Sequence, residues 1–140
     1  MHTVYLALGS NLGGRLQYIQ RAVEELKAHG LKILKFSSII ETDPWDAPPQ
    51  GRFLNAVLKA RTGHSPEELI EITQNIEYRL GGTKKTFRGP RNIDIDILLY
   101  DDIKLISPRL IIPHPRMLER GFVMRPLEEI DPVLCASLKV

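Results

Sequence analysis

Apolar residues along this chain follow strand and helix spacing in turn. Thr3–Leu8 is a β-branched and aromatic run that ends at a glycine, which predicts a buried strand. From Arg15 onward the apolar residues recur at helical spacing, which predicts a helix with a C-terminal cap at Gly30. Leu31–Thr42 and Phe53–Arg61 then predict two further strands.

The second half of the chain contains another helix and another strand before it becomes rich in proline. Ser65 and Glu68 form a capping-box pattern at the start of a helical apolar stripe. Asn92–Tyr100 predicts the clearest strand, and its apolar character favours a central place in a sheet. Lys104–Ile106 is expected to be its short partner, and Ser107–Val140 to hold one or two short helices.

The predicted order, strand-helix-strand-strand-helix-strand, is the split βαβ pattern of ferredoxin-like folds. We therefore expect an α+β protein, a ferredoxin-like sandwich with an antiparallel sheet and helices packed on one face of it. A length of 140 residues corresponds to one domain, 1–140. Ferredoxin-like folds support many unrelated activities, so the fold alone predicts none of them.

Composition excludes several classes of protein. The chain is 43% hydrophobic and 26% charged, as is usual for globular proteins. Its single cysteine, Cys135, excludes a disulfide framework and a cysteine-based zinc site. There is no apolar run long enough to span a membrane, and Met1–Tyr5 lacks the start of a signal peptide, so we expect a cytoplasmic protein.

Charge is unevenly distributed along the chain. The formal net charge is +2, but residues 79–125 contain ten basic and five acidic side chains. A local excess of this kind suits a nucleic-acid surface, a phosphate site or a solvated surface. The motifs within that segment must distinguish these three possibilities.

An acidic pair lies inside this basic segment. Asp94 and Asp96 alternate with isoleucines, so both carboxylates are expected on one face of a strand, with Cα atoms about 6.6 Å apart. They could simply face solvent. However, Arg91 comes just before the strand, and paired carboxylates beside phosphate groups suit Mg²⁺. We therefore expect a magnesium site here.

The basic residues around this pair suit a phosphate-rich ligand, although each could be an ordinary surface residue. Gly81–Pro90 is rich in glycine and lysine and includes Lys84, but it lacks the spacing of a Walker loop. A nucleotide would therefore be held by side chains and metal, with this loop able to close over a triphosphate. Arg109 and Arg120 follow the acidic strand.

A third set of residues suits a flat heterocycle. Phe53 and Asn55 share one face of a strand and offer a ring beside an amide, although a core phenylalanine and a turn-facing asparagine are equally compatible. Phe122 could supply a second aromatic wall. Trp45, in a proline-rich loop, could cover a pocket or dock a partner.

Polar residues next to apolar stripes complete the set of candidates. Gln74 and Glu77 flank the apolar stripe of the second predicted helix, where they face either a cleft or a half-buried margin. His114 lies between two prolines, which restrict its backbone, and it could be structural.

Four motifs together resemble one enzyme family over nearly the whole chain and in the same order. They are Gly9-Ser-Asn-Leu-Gly13, Phe53-Leu-Asn-Ala56, Gly89-Pro-Arg-Asn-Ile-Asp-Ile-Asp96 and Pro113-His-Pro-Arg-Met-Leu-Glu-Arg-Gly-Phe122. The chain resembles the 6-hydroxymethyl-7,8-dihydropterin pyrophosphokinases of folate biosynthesis. The resemblance implies a ferredoxin-like monomer that transfers the diphosphoryl group of ATP to the pterin hydroxymethyl oxygen and releases AMP.

The resemblance also implies roles for individual residues. Two Mg²⁺ ions on the triphosphate are implied at Asp94 and Asp96, and Lys84 falls in a mobile loop where the family often has arginine. These residues and Arg91 form the implied catalytic set. Contacts to nucleotide or phosphate are implied for the following residues: Gln74, Glu77, Arg91, Arg109, His114 and Arg120. The implied pterin site consists of the following residues: Thr42, Asp43, Trp45, Phe53, Asn55 and Phe122.

Two other classes of protein account for only part of the sequence. A nucleic-acid-binding module would use the basic segment, but two aspartates on the relevant strand face would repel a phosphate backbone. A catalytically silent interaction domain would leave the acidic pair, Arg91 and His114 unexplained. We therefore expect ATP and the pterin as partners, and neither nucleic acid nor a membrane.

Overall fold

A computed structural model describes residues 1–44, 50–81 and 92–139. The strands in these ranges are β1 (His2–Ser10), β2 (Lys32–Phe36), β3 (Ile40–Thr42), β4 (Phe53–Thr62), β5 (Asp94–Tyr100), β6 (Leu105–Ile106) and β7 (Ile111–Ile112). The α-helices are α1 (Arg15–Ala28), α2 (Pro66–Gly81), α3 (Gly121–Ile130) and α4 (Pro132–Leu138), and a 3₁₀ turn covers Met117–Glu119. None of the helices in these ranges is long and apolar enough to cross a membrane.

The main sheet is antiparallel and has the strand order β2-β4-β1-β5, with β3 also pairing with β4. The chain reaches these strands through α1 and α2, as the split βαβ pattern requires. The predicted ferredoxin-like α+β class is therefore confirmed.

Helices cover both faces of the sheet rather than the single face predicted. The apolar cluster under α1 and α2 includes Leu8 and Ile95, whereas the opposite cluster, with α3 and α4, includes Tyr5 and Val57. The expectation was wrong because the proline-rich C-terminal segment folds back as two helices. An apolar sheet buried on both faces also explains why β5 looks central in the sequence.

Three strand predictions need correction. Leu31–Thr42 forms two strands, β2 and β3, separated by residues 37–39. Strand β5 lies at the edge of the sheet, not at its centre. Strand β6 pairs with β7 instead of with β5.

The capping box predicted at the start of α2 and the glycine predicted at the end of α1 are both confirmed. The Glu68 carboxylate accepts the Ser65 N–H at 2.8 Å, while the Ser65 hydroxyl accepts the Glu68 N–H at 3.1 Å. Gly30 has a φ of 89°, and the following N–H, of Leu31, donates to the Leu26 carbonyl. These contacts satisfy backbone groups that a helix end leaves unpaired.

A polar contact fastens the C-terminal helices to the sheet. The Tyr5 hydroxyl, on β1, donates a hydrogen bond to Asp131, whose carboxylate also accepts the Leu134 N–H and caps α4. Burial, and then the neighbouring Asp131 carboxylate, raise the pKa of the Tyr5 phenol. The phenol therefore remains a donor throughout the physiological range.

Replacing Tyr5 by phenylalanine is expected to destabilise the fold by about 1–3 kcal/mol, because the charged partner Asp131 loses a partly buried donor. Urea unfolding followed by circular dichroism measures this change. Tyr78→Phe is the matched control, since that ring is 56% exposed. Equal stability of the two variants would show that the contact contributes nothing.

Candidate active site

The acidic pair lies on the sheet face that is opposite α1 and α2. In the antiparallel register Asp94 is paired with Gly9 and Asp96 with Ala7, whereas the intervening Ile95 points into the core. Both aspartates line an open cavity of about 340 Å³ at the outer edge of β5. The prediction that the two carboxylates share one small volume is confirmed by this geometry.

Two segments attach to the open edge of β5 and so complete the cavity. The Glu77 carboxylate, on α2, accepts the Ile95 N–H at 2.7 Å. The backbone N–H of His114 donates to the Leu98 carbonyl at 2.9 Å. Glu77 and His114 are thereby anchored to the strand that carries the acidic pair, and both line the cavity.

The outer wall of the cavity contains a second polar pair. A guanidinium nitrogen of Arg109 donates to Gln74 Oε1 at 2.7 Å, and this contact connects α2 to the turn between β6 and β7. Ile70 and Ile111 contribute apolar surface to the same cavity. Neither isoleucine was predicted to line the site, and for Ile111 the reason is that the pairing of β6 with β7 was not expected.

His114 is neutral at physiological pH. Burial, and then the Arg120 guanidinium, lower its pKa from 6.5 to about 4, although the Asp94 carboxylate opposes the shift. The Arg116 N–H donates to His114 Nδ1 at 3.3 Å, so the single ring proton belongs on Nε2. The imidazole therefore offers one N–H donor for an acceptor in the cavity.

The depressed pKa of His114 predicts a pH dependence of stability in the metal-free, ligand-free protein. The unfolded chain protonates this ring below 6.5, whereas the folded protein protonates it only near 4, so stability is lost as pH falls through this interval. After allowance for solvent screening, the loss is on the order of 1–2 kcal/mol. Urea unfolding between these pH values should show a smaller loss for His114→Gln; an unchanged loss contradicts the assignment.

Arg120 connects the acidic pair to an aromatic ring. Its guanidinium nitrogen lies 3.8 Å from Asp96 Oδ2, and its side chain is 20% exposed. The same guanidinium lies 5.6 Å from the centre of the Phe122 ring at the start of α3. Arg120 therefore places a positive charge between the carboxylate and the ring.

The second half of the site is built on β3 and β4. Asn55 is 5% exposed, and its Nδ2 donates to Thr42 Oγ1 on the neighbouring strand at 2.6 Å. Phe53 lies two residues away on the same face of β4, as the sequence predicts. Asp43 instead forms an exposed ion pair with Arg52 at 3.1 Å.

The donor set of the acidic pair suits magnesium. Mg²⁺ prefers oxygen ligands, and it is commonly held by one or two carboxylates together with substrate phosphates. Asp94 and Asp96 supply such carboxylates at the cavity wall. Within residues 1–44, 50–81 and 92–139, no cluster of three or more His, Cys, Asp or Glu side chains forms a complete metal cage. Substrate phosphates and water would complete the coordination.

Three predicted site residues, Trp45, Lys84 and Arg91, lie outside the described residues. The structure brings six of the other twelve together at one cavity, and these predicted lining residues are Gln74, Glu77, Asp94, Asp96, Arg109 and His114. Arg120 joins this group through Asp96. Thr42 was predicted to belong to the pterin site, but its side-chain contact with Asn55 was not predicted.

Comparisons with known proteins agree with this geometry. The family model described as 7,8-dihydro-6-hydroxymethylpterin-pyrophosphokinase matches residues 5–132. The chain is 47% identical to the 2-amino-4-hydroxy-6-hydroxymethyldihydropteridine pyrophosphokinase of Bacillus subtilis over 90% of this chain and 76% of that protein. Identity to the protein of the same description from Aquifex aeolicus is 46%, over 94% of this chain and 82% of that protein.

Some similar proteins are much longer. The chain is 46% identical to the folic acid synthesis protein fol1 of Pneumocystis carinii over 91% of its own length, but it spans only 17% of that protein. The crystal structure of Plasmodium falciparum HPPK-DHPS with SDX-DHP is similar in fold, with a TM-score of 0.68 and 17% identity. That match covers 94% of this chain and 40% of the other.

Proposed function

This chain belongs to the 7,8-dihydro-6-hydroxymethylpterin-pyrophosphokinase family, and we propose how the described residues perform the reaction of that family. The reaction transfers a pyrophosphoryl group from ATP to hydroxymethyldihydropterin in folate synthesis. The chain is therefore an enzyme, a diphosphotransferase that releases AMP.

We assign the cavity beside β5 to ATP. Gln74, Arg109 and His114 would contact the nucleotide or its phosphates, with the neutral imidazole donating from Nε2. Glu77, held by the Ile95 N–H, would keep α2 at a fixed distance from the acidic strand. Phosphoryl transfer depends mainly on positioning and charge stabilisation, which these groups provide.

We assign Asp94 and Asp96 to two Mg²⁺ ions. When bound, these ions would neutralise and orient the triphosphate oxygens. Arg120 lies beside Asp96 and would add positive charge where negative charge accumulates during transfer. Lys84 and Arg91 remain predicted members of the catalytic set and lie outside the described residues.

We assign the pterin to the adjoining surface of β3 and β4. Asn55 would bind the amide-like edge of the heterocycle, with the Phe53 and Phe122 rings packing on its faces. Thr42 fixes the orientation of the Asn55 amide by accepting one of its N–H groups. Asp43 and Trp45 remain predicted members of the loop beside the ring.

The observation that carries this assignment is the sheet register. Asn55 and Asp94 are both paired with Gly9 of the intervening strand, so they lie in one cross-strand row on the same face. The proposed acceptor and phosphate sites therefore adjoin, as a direct transfer between two bound substrates requires.

Product analysis tests the assignment. The protein is mixed with Mg²⁺, ATP and 6-hydroxymethyl-7,8-dihydropterin, and the nucleotide product is identified by anion-exchange chromatography. AMP formed together with the pterin diphosphate is expected. ADP, or ATP left unchanged, is incompatible with pyrophosphoryl transfer by this chain.

We further propose a cytoplasmic monomer in which 1–140 forms one domain and which binds neither nucleic acid nor a membrane. Every described element packs on the same sheet or against a helix that covers it, which supports the single domain. Sedimentation velocity tests the monomer, and a dimer at micromolar concentration would reject it.

A further inference from the structure

Gly9 occupies the floor of the site between its two halves. It lies on β1, directly paired with Asn55 of β4 on one side and with Asp94 of β5 on the other. Strands in a sheet are about 4.8 Å apart, so the backbones of Asn55 and Asp94 are separated by about 9.6 Å. The residue between the proposed acceptor site and the proposed phosphate site therefore has no side chain.

The need for glycine here is a matter of space rather than of backbone conformation. The positive-φ glycines among the described residues are Gly13 and Gly30, so the backbone of Gly9 would accept any L residue. However, a Cβ atom built on Gly9 would lie 3.0 Å from Asn55 Oδ1 and 3.6 Å from Phe53 Cδ1. Even alanine would therefore crowd the Asn55 amide oxygen, whereas its contact with the Phe53 ring would be of ordinary length.

Asn55 has little freedom to move away from such a methyl group. Its side chain is almost fully buried, and its Nδ2 is already bonded to Thr42 Oγ1 at 2.6 Å. The amide is thus confined between Thr42 on one side and Gly9 on the other. A shift of a few tenths of an ångström at Oδ1 would stretch that bond or rotate the amide.

We propose that Gly9 is a positioning residue for the pterin. Its missing side chain lets the Asn55 amide lie close to the sheet, and it keeps the floor towards Asp94 clear for the hydroxymethyl arm of the acceptor. The ligand class is a flat heterocycle with an amide-like edge. This proposal rests on the assignment of Asn55 and Phe53 to the pterin.

Ligand binding to Gly9→Ala tests this role. The Kd of 6-hydroxymethylpterin, measured by calorimetry, is expected to rise about tenfold, because a misaligned buried amide binds its partner poorly. The Kd of a magnesium complex of α,β-methylene ATP is expected to stay within about twofold of the wild-type value, since the cavity residues are untouched. Gly63→Ala is the matched control, because a Cβ there would approach only Met1 Sδ, at 3.7 Å.

Two outcomes overturn the proposal. One is a pterin Kd for Gly9→Ala within about twofold of the wild-type value. The other is an equal loss of affinity for pterin and nucleotide, which indicates general disruption of the sheet. If the wild-type protein itself binds no pterin, the assignment of the pterin site fails. That result is distinguishable from a failure of the Gly9 proposal alone, in which the wild-type protein binds pterin and Gly9→Ala binds it equally well.

A double variant identifies Asn55 as the group through which Gly9 acts. In an Asn55→Ala background, Gly9→Ala should weaken pterin binding by no more than about twofold, because the crowded oxygen is gone. A further loss as large as in the wild-type background contradicts the mechanism. Should Gly9→Ala alone fail to fold, the double variant is expected to fold, and its failure to do so overturns the proposal.

Discussion

Replacing Asp94 or Asp96 by alanine is expected to lower turnover by about 10³-fold or more, because each change removes charge that positions the triphosphate and its metal ions. The Kd of 6-hydroxymethylpterin should remain close to the wild-type value, since Asn55 is two strands away. Initial rates of AMP formation, together with calorimetry, measure both quantities.

A carboxylate at the opposite end of the same strand provides the control. Asp102 is exposed and lies just beyond β5, so Asp102→Ala changes the net charge equally without touching the cavity. This control should keep the wild-type rate. Retained turnover in Asp94→Ala or in Asp96→Ala would falsify the metal assignment of that residue.

Replacing Arg120 by alanine is expected to lower kcat by about 10²-fold, because it removes the positive charge beside Asp96. Arg120→Lys keeps a charge but loses the planar fork of donors, so it should recover only part of the rate. The measurement is the steady-state rate at saturating ATP and pterin.

Arg125→Ala is the matched control for this experiment. Arg125 lies on the same helix segment beyond Phe122 but is exposed, and its loss should leave kcat unchanged. If Arg120→Ala raises KM while kcat stays at the wild-type value, Arg120 binds substrate without stabilising the transition state. A parallel loss in Arg125→Ala would indicate a long-range charge effect instead.

Signals between neighbouring residues predicted the helix ends correctly, whereas the pairing of strands that are distant in sequence could not be predicted. The Ser65 capping box and the Gly30 helix end both depend on neighbours in sequence, and both are confirmed. Whether β5 lies at the edge or at the centre of the sheet depends on which strands pair with it. An apolar strand that is buried on two faces has the same sequence pattern in either place. The pairing of β6 with β7 was missed for the same reason.

The candidate site divides in the same way. Alternation placed Asp94 and Asp96 on one face, and likewise Phe53 and Asn55, because a period of two follows from strand geometry alone. The closeness of these two pairs depends on the register of β1 between them, which no local pattern encodes. The role inferred for Gly9 depends on the same register, since only neighbours in space limit its size.

The edge position of β5 has a consequence for association between molecules. An open strand edge offers backbone groups to another chain and so promotes aggregation. Here the Glu77 carboxylate accepts a hydrogen bond from the Ile95 N–H, and the backbone N–H of His114 donates one to the Leu98 carbonyl. The residues that line the proposed nucleotide cavity thus also block the addition of another strand to β5. A variant that breaks either of these two hydrogen bonds should therefore lower solubility as well as activity.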